Sequence, residues 1–127
     1  MFKILIVDDS KTIHAFAKHL LSKSKEVCTE SAMDGEQAIQ LLEKDPSFDL
    51  ILLDWEMPVL NGPETLKKLK SIGCKVPVVM MTTKDKPEEI AEMLALGAAE
   101  YLMKPFTVDI LFEKIEFATS QRLSYAA

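Results

Sequence analysis

The segment LILLD (residues 50–54) places four consecutive apolar residues directly before a carboxylate. An apolar run of this kind, without polar alternation, is typical of a strand covered on both faces, as in a parallel sheet. Similar short runs occur at residues 4–7, 76–81 and 101–103, and an alternating segment at residues 27–31 predicts an edge strand. The chain therefore contains five candidate strands.

Amphipathic stretches follow these runs and predict five helices, because their apolar residues recur at the spacing that places them on one helical face. The positions are Ile13, Phe16, Ala17, Leu20 and Leu21; Ala38, Leu41 and Leu42; Leu66 and Leu69; Ile90, Met93 and Leu94; and Val108, Leu111, Phe112 and Ile115. Gly73 and Gly97 are expected to end the third and fourth helices, and Thr107 or Asp109 to cap the fifth. Strand–helix alternation predicts a doubly wound (βα)5 α/β domain with a five-stranded parallel sheet, in three layers.

The composition describes one acidic globular domain. The 127 residues are 48% hydrophobic and 28% charged, and 15 Lys and Arg against 20 Asp and Glu give a net charge of −5. This charge argues against nucleic-acid binding. No apolar run approaches the roughly 18 residues of a membrane span, and the apolar stretch near Met1 is too short for a signal peptide. We therefore expect a cytoplasmic protein with a natural start and no membrane insertion, its Cys28 and Cys74 reduced. The fifth helix is expected to use nearly all of the remaining chain.

Chemically active side chains follow the predicted strands. Asp8 and Asp9 come after the first strand, Asp54 after the third, Thr82 after the fourth and Lys104 after the fifth. Each alone has an ordinary explanation as a helix cap, a turn residue or a solvated lysine. Because the carboxyl ends of parallel strands meet at one edge, we expect all of them in one ligand site.

The chemistry of this set predicts a metal-assisted phosphoryl acceptor. Three crowded carboxylates are unfavourable unless a cation neutralises them. Oxygen ligands suit Mg²⁺, for which Mn²⁺ is an expected substitute, with retained waters and a phosphate oxygen completing the coordination. The ammonium group of Lys104 and the hydroxyl of Thr82 would suit the other phosphate oxygens. A carboxylate can itself be the nucleophile and form an aspartyl phosphate.

The arrangement resembles the receiver domain of two-component response regulators, in layout most of all the single-domain chemotaxis regulators. The motifs are Asp8-Asp9 in LIVDDS, Asp54 in ILLDWEMPVLNG, Thr82 in PVVMMTT and Lys104 in YLMKPF. The resemblance extends over essentially the whole chain. It implies a flavodoxin-like strand order 2-1-3-4-5 and a single receiver domain over residues 1–127 without an output domain.

The resemblance also implies metal and acceptor roles. Asp54 would accept a phosphoryl group from the phosphohistidine of a histidine kinase or histidine phosphotransfer protein. Asp9 and Asp54 would bind Mg²⁺ directly with the backbone carbonyl of Glu56, and Asp8 would act through a bound water. Trp55 follows the acceptor, so its fluorescence should report Mg²⁺ binding.

A conformational switch is implied in the same way. Lys104 would pair with a phosphate oxygen, next to a cis Lys104–Pro105 bond. Thr82 would move toward the phosphate, and Tyr101 would turn inward as Thr82 leaves its path. A downstream target protein would then read the face formed by the fourth helix, fifth strand and fifth helix. The unphosphorylated domain is expected to be a monomer.

Three residues depart from what is usual in receivers. In receivers the positions of Glu56 and Lys84 flank the path of the attacking water, and here they carry opposite charges. Thr83 is bulkier than the alanine or glycine often found at its position in receivers. We hypothesise that they modulate dephosphorylation by shielding the phosphate, which slows self-hydrolysis.

The first helix carries His14 and His19, which do not share a helical face and therefore do not suggest a metal site. His14 lies off the apolar stripe and is expected to be exposed. In receivers this helix and the turn near Phe106 contact the histidine-bearing partner, so His14, Lys11 or Lys18 could contribute to docking.

Other functions remain open at the level of sequence. Asp54-x-Glu56 resembles the nucleophile motif of haloacid-dehalogenase phosphatases, but those enzymes place it after their first strand. A flavin-binding module would want glycine and hydroxyl residues, not two anions, after the first strand. Within the receiver class, the chain could be a terminal switch, a relay domain that passes phosphate to a histidine phosphotransfer protein, or a phosphate-independent interaction module.

Overall fold

A computed structural model describes residues 1–126. Strands and helices alternate along the chain and confirm the (βα)5 prediction. The strands are β1 (Phe2–Val7), β2 (Val27–Ala32), β3 (Leu50–Asp54), β4 (Val78–Thr82) and β5 (Glu100–Met103). The helices are α1 (Lys11–Leu21), α2 (Gly35–Lys44), α3 (Gly62–Ser71), α4 (Pro87–Ala95) and α5 (Val108–Thr119). Within this described part of the chain, no helix combines the length and apolarity needed to cross a membrane.

The five strands form one parallel sheet in the order β2-β1-β3-β4-β5, as the resemblance implied. In the register of the central strands, Val7 lies opposite Leu53, and Asp54 lies opposite Met81. The strands β3 and β4 are buried at every position, which explains why their sequences lack polar alternation. The acidic residue that ends β3 is therefore carried by a completely buried part of the sheet.

Alternate residues of the strands face two separate cores. Ile4 and Ile6 pack toward α1 and α5, whereas Leu5 and Val7 pack toward α2, α3 and α4. The sheet is thus covered on both faces, and the three-layer architecture is confirmed. Because every second residue enters a different core, a one-residue slip of a strand would exchange the two sets and is excluded by packing.

Side-chain caps set the starts of several helices. The side chains of Ser10, Asp34 and Asn61 accept hydrogen bonds from backbone N–H groups in the first turns of α1, α2 and α3. For α5 the cap is Thr107, whose hydroxyl accepts from the Ile110 N–H, so the alternative of Asp109 is excluded. These caps satisfy N–H groups that have no partner within the helix.

Two apolar positions predicted on helical faces are more exposed than the pattern suggested. Phe16 is 36% exposed and packs on the ring of Phe106, at a centroid distance of 5.3 Å. Leu94 is 46% exposed, since in α4 it is Met93 that enters the core completely.

The end of the chain also differs from the expectation that α5 would use nearly all of it. The helix ends at Thr119, and Ser120 takes a left-handed conformation with φ of 59° that reverses the chain. Leu123 is then buried, and the Tyr125 ring stacks on Phe112 at 4.2 Å with an interplanar angle of 7°. Residues 121–126, which we call the tail, therefore pack back onto α5.

Candidate functional site

Three carboxylates meet at the carboxyl edge of the sheet. Asp54 ends β3, and Asp8 and Asp9 directly follow β1, its neighbour in the sheet. One oxygen from each carboxylate lies within 4.8 Å of the others. Asp8 is 1% exposed and Asp54 is 6% exposed, whereas Asp9 is open to solvent. The structure thus brings together the acidic residues that the sequence placed at strand ends.

Lys104 reaches this cluster from the end of β5. Its Nζ donates to Asp8 Oδ2 at 2.9 Å and to Asp54 Oδ1 at 3.0 Å. Burial by itself lowers the pKa of Lys104, but the hydrogen bonds to the two carboxylates outweigh it and raise the pKa. The ammonium group therefore stays charged and offsets part of the repulsion between the acids. The following Lys104–Pro105 bond is cis, as the resemblance implied.

The Asp54 carboxylate lies in an unfavourable environment for its charge. Burial raises the pKa of Asp54 from 3.8 to about 6; Lys104 opposes this shift and Asp8 adds to it. Asp54 is thus ionised near neutral pH, but burial destabilises its charge. Binding of a positive ligand would reduce this destabilisation. A perturbed carboxylate in a cleft is a recurring property of functional sites.

A glycine and two backbone hydrogen bonds fix the chain after Asp54. The Trp55 N–H donates to Met81 O at 3.0 Å, and the Gly62 N–H donates to Trp55 O at 2.9 Å. A Cβ atom at Gly62 would lie 2.5 Å from Asp54 O and 2.7 Å from Trp55 Cα. Only glycine therefore allows α3 to start so close to the end of β3.

A cavity of about 180 Å³ opens onto these groups. The residues that line it are Asp8, Asp9, Ser10, Asp54, Trp55, Glu56, Thr82, Thr83 and Lys104. Thr82 is 2% exposed, and its Oγ1 accepts a hydrogen bond from the Lys84 N–H at 2.9 Å. Lys84 does not line the cavity, but its Nζ lies 3.6 Å from Glu56 Oε1 and 3.4 Å from Glu89 Oε2. Glu89 is not among the site residues predicted from the sequence.

The donor set fits a hard divalent cation. All three candidate ligands are carboxylates, and Lys104 offsets the charge of two of them, Asp8 and Asp54. Mg²⁺ favours oxygen ligands of this number and keeps several waters. The exposed position of Asp9 leaves room for those waters.

His14 contradicts the expectation of an exposed side chain. It is 6% exposed, and its Nε2 lies 2.7 Å from the backbone oxygen of Asp8. The prediction was wrong because the helical pattern locates the sheet-facing side of α1 but does not show that the loop after β1 covers the neighbouring side. His14 therefore cannot serve as a surface docking residue, whereas Lys11 and Lys18 are exposed.

Tyr101 lies apart from the cavity, on β5, where it is half-buried. Lys114 of α5 places its Nζ 4.2 Å from the centre of the Tyr101 ring and donates to Glu100 Oε1 at 3.1 Å. A cation over an aromatic face attracts the ring. The Tyr101 ring is thus held between β5 and α5.

The doubly wound sheet defines a flavodoxin-like α/β domain. The acidic cluster with its lysine forms a candidate cation-binding site at the carboxyl edge of the sheet. The family model of the response regulator receiver domain matches residues 4–116. The chain belongs to this family, whose members are signalling domains that a kinase phosphorylates and that use Mg²⁺ at the acidic pocket.

Chemotaxis regulators are among the similar proteins. Chemotaxis protein CheY1 of Helicobacter pylori is 34% identical over 116 residues, which cover 90% of this chain and 94% of that protein. Chemotaxis protein CheY-3 of Vibrio cholerae is 38% identical over 116 residues, covering 90% and 88%. The solved structure of chemotaxis protein CheY4 of Vibrio cholerae has a TM-score of 0.84 at 34% identity, covering 93% of this chain and 98% of that one.

Proposed function

We propose that this chain is a stand-alone cytoplasmic receiver that accepts a phosphoryl group on Asp54 and then signals through protein contacts. The contact of one ammonium group with two acids carries the proposal: Lys104 lies 2.9 Å from Asp8 and 3.0 Å from Asp54 at the mouth of the cavity. The curated relatives support a stand-alone domain, because this chain covers 88–94% of their length in the two cases described.

In the proposed reaction, an Asp54 carboxylate oxygen attacks phosphorus, and the bond from phosphorus to the donor histidine nitrogen breaks. Asp54 must be ionised to attack, and a pKa of about 6 leaves it ionised at neutral pH. Lys104 neutralises charge on the transferred group, and Thr82 offers its hydroxyl. Asp8, Asp9 and Asp54, with the backbone carbonyl of Glu56, would hold Mg²⁺, with Asp8 acting through water. The cation supplies further charge neutralisation when bound.

An apolar surface beside the site supports docking of a histidine-bearing partner. A cavity of about 420 Å³ lies between the start of α1 and the loop after β5, and includes Ile13, Phe16, Pro105 and Phe106. Lys104 lines this cavity as well as the acidic one. A kinase or phosphotransfer domain seated here would bring its phosphohistidine next to Asp54.

We further propose that phosphorylation is transmitted to the face of α4, β5 and α5. The side-chain hydroxyl of Thr82 has one hydrogen-bond partner among residues 1–126, the Lys84 backbone N–H, so it can turn to a phosphate at small cost. Tyr101 would then turn inward and leave its place beside Lys114. The target protein would recognise the changed face.

Lifetime of the phosphate is proposed to depend on the ion pairs of Lys84. Its bridge to Glu56 and Glu89 links the loop after β3 with α4, beside the cavity. Together with Thr83, this bridge would hinder the water that hydrolyses the aspartyl phosphate.

The direct test is intact mass after incubation with Mg²⁺ and acetyl phosphate. Wild-type protein should gain one phosphoryl group, and Asp54→Asn should gain none. Trp55 emission should change on Mg²⁺ titration, since Trp55 lines the acidic cavity. Lack of any mass gain, with either acetyl phosphate or a phosphorylated histidine protein as donor, would reject the proposal and favour a phosphate-independent interaction module.

A further inference from the structure

His14 is a buried polar side chain that the proposed reaction does not use. It belongs to α1, and its Nε2 lies 2.7 Å from Asp8 O. A carbonyl oxygen only accepts, so Nε2 must be the donor. In the neutral ring Nδ1 then carries the lone pair. This nitrogen is buried and has no hydrogen-bond partner among residues 1–126. A buried polar atom without a partner is unfavourable, and this cost offsets part of what the Nε2 hydrogen bond contributes to stability.

The hydrogen bond from His14 completes the fixation of Asp8. The Asp8 N–H donates to Ala32 O at 3.2 Å, its Oδ1 accepts from the Ser10 N–H at 2.8 Å, and its Oδ2 accepts from Lys104 at 2.9 Å. The carbonyl oxygen is the remaining polar group, and it accepts from His14. All polar groups of Asp8 are thus held by other parts of the domain.

Asp9 lacks any such support. Its side chain is exposed, and within the described chain no hydrogen bond holds its carboxylate. The direction of this carboxylate is therefore set by its backbone. The Asp9 N–H and the Asp8 carbonyl belong to one planar peptide group, so the His14 hydrogen bond also orients the start of Asp9.

We propose that His14 is a positioning residue that aims the Asp9 carboxylate at the divalent cation through the Asp8–Asp9 peptide. The inference rests on the proposed function, because it assumes that Asp9 binds the metal. It assigns to α1 a role in metal affinity in addition to its proposed role in partner docking. Loss of a group that orients a metal ligand in this way commonly weakens metal affinity about 10- to 100-fold.

Two amide substitutions separate this role from a purely structural one. The glutamine amide nitrogen stands the same number of bonds from Cα as Nε2, and the asparagine amide nitrogen the same number as Nδ1. His14→Gln therefore keeps a donor within reach of the Asp8 carbonyl, whereas His14→Asn does not. His19→Asn is the matched control, since His19 is exposed on the same helix.

The measurement is the Mg²⁺ dissociation constant, from Trp55 fluorescence and calorimetry, well below the unfolding temperature of each variant. His14→Asn should weaken Mg²⁺ binding about tenfold, and His14→Gln and His19→Asn should bind like wild type. In an Asp9→Asn background, His14→Asn should have no further effect. Unchanged binding by His14→Asn, while wild type binds Mg²⁺, overturns the inference and leaves the proposed function intact. Absence of Mg²⁺ binding by the wild type overturns both.

A second measurement needs no folded variant. In wild-type protein, Mg²⁺ should shift the NMR resonance of the His14 ring nitrogen Nε2, because the Asp8–Asp9 peptide responds to the metal. The corresponding resonance of His19 should stay in place. A His14 resonance that ignores saturating Mg²⁺ overturns the inference even if His14→Asn does not fold.

Discussion

Lys104 and Asp54 meet across the carboxyl edge of the sheet, with Lys104 Nζ donating to Asp54 Oδ1 at 3.0 Å. The two residues are 50 positions apart in sequence, and both are largely buried. Despite this partner, burial leaves the pKa of Asp54 raised to about 6. The Asp54 carboxylate is therefore charged at neutral pH at a cost to stability.

This relationship predicts a pH-dependent stability of the metal-free protein. Because the pKa of Asp54 is 3.8 when unperturbed and about 6 in the fold, the folded state retains a proton that the unfolded chain has released. The stabilisation that this proton gives the folded state is fully present below pH 3.8. It is lost as pH rises through about 6, which lowers the free energy of unfolding by roughly 2–3 kcal/mol. Asp54→Asn removes this loss.

Urea unfolding in EDTA at pH 4 and pH 7.5 would check it. The free energy of unfolding of Asp54→Asn relative to wild type should rise between the two pH values, whereas Asp85→Asn, at an exposed aspartate, should show no such rise. A pH-independent difference between Asp54→Asn and wild type would contradict a raised pKa of Asp54.

A second prediction concerns the ion pairs at the mouth of the site. Lys84→Ala combined with Glu56→Asn should shorten the aspartyl-phosphate half-life, because both ends of a 3.6 Å bridge are removed. The Glu56 side chain is 73% exposed, so the pair is screened. We expect an effect of ~2- to 5-fold, equivalent to at most about 1 kcal/mol.

Loss of phosphoryl mass with time gives the half-life. Lys75→Ala is the control, because Lys75 is an exposed lysine just before β4, at the opposite edge of the sheet. An unchanged or longer half-life in the double variant would show that the bridge does not shield the phosphate.

More of the site could be predicted from the sequence than of the residues that pack around it. Asp8, Asp54 and Thr82 were found because each closes an apolar run, and the ends of parallel strands must share an edge. The burial of His14 was not predicted, because a helical pattern shows which side faces the sheet but not which loop covers the adjacent side. The packing of Tyr125 was missed because six residues after a helix carry no periodicity, and its partners lie on α5 itself.

A third prediction follows from backbone strain at Val59. This residue has φ of 67° and is 76% exposed, in the loop between β3 and α3. A β-branched side chain at positive φ is strained, whereas asparagine tolerates this region. Val59→Asn should therefore raise the free energy of unfolding by about 1 kcal/mol.

Urea unfolding of Val59→Asn and Ile72→Asn gives the comparison. Ile72 is also an exposed apolar loop residue, at 52%, but its φ of −90° is unstrained. The comparison separates the effect of removing an exposed apolar group from the effect of relieving backbone strain. Equal effects of the two substitutions would mean that φ at position 59 contributes nothing.

The last prediction concerns the tail, which lies beyond the 4–116 span of the family match. Tyr125 attaches it twice, by stacking on Phe112 at 4.2 Å and by donating its hydroxyl hydrogen to Asp109 Oδ1 at 2.7 Å. The backbone then adds bonds from the Ser124 N–H to Glu26 Oε1 at 2.7 Å and from the Ala126 N–H to Lys23 O at 2.9 Å. Since these two N–H groups are held only while the tail is attached, their hydrogen exchange reports its opening.

Tyr125→Ala should abolish the protection of both amides while β1 and β3 stay protected, because the aromatic contact is lost with the hydroxyl. Tyr125→Phe keeps the ring and should retain most of the protection. Ser124→Ala is the control, since Ser124 contributes its backbone N–H to the contact with Glu26. If Tyr125→Ala exchanges at the wild-type rate, the tail is held without Tyr125, by the burial of Leu123 and by the two backbone hydrogen bonds. If protection is lost in Tyr125→Phe as well, the Asp109 hydrogen bond, not the stacked ring, is the dominant attachment.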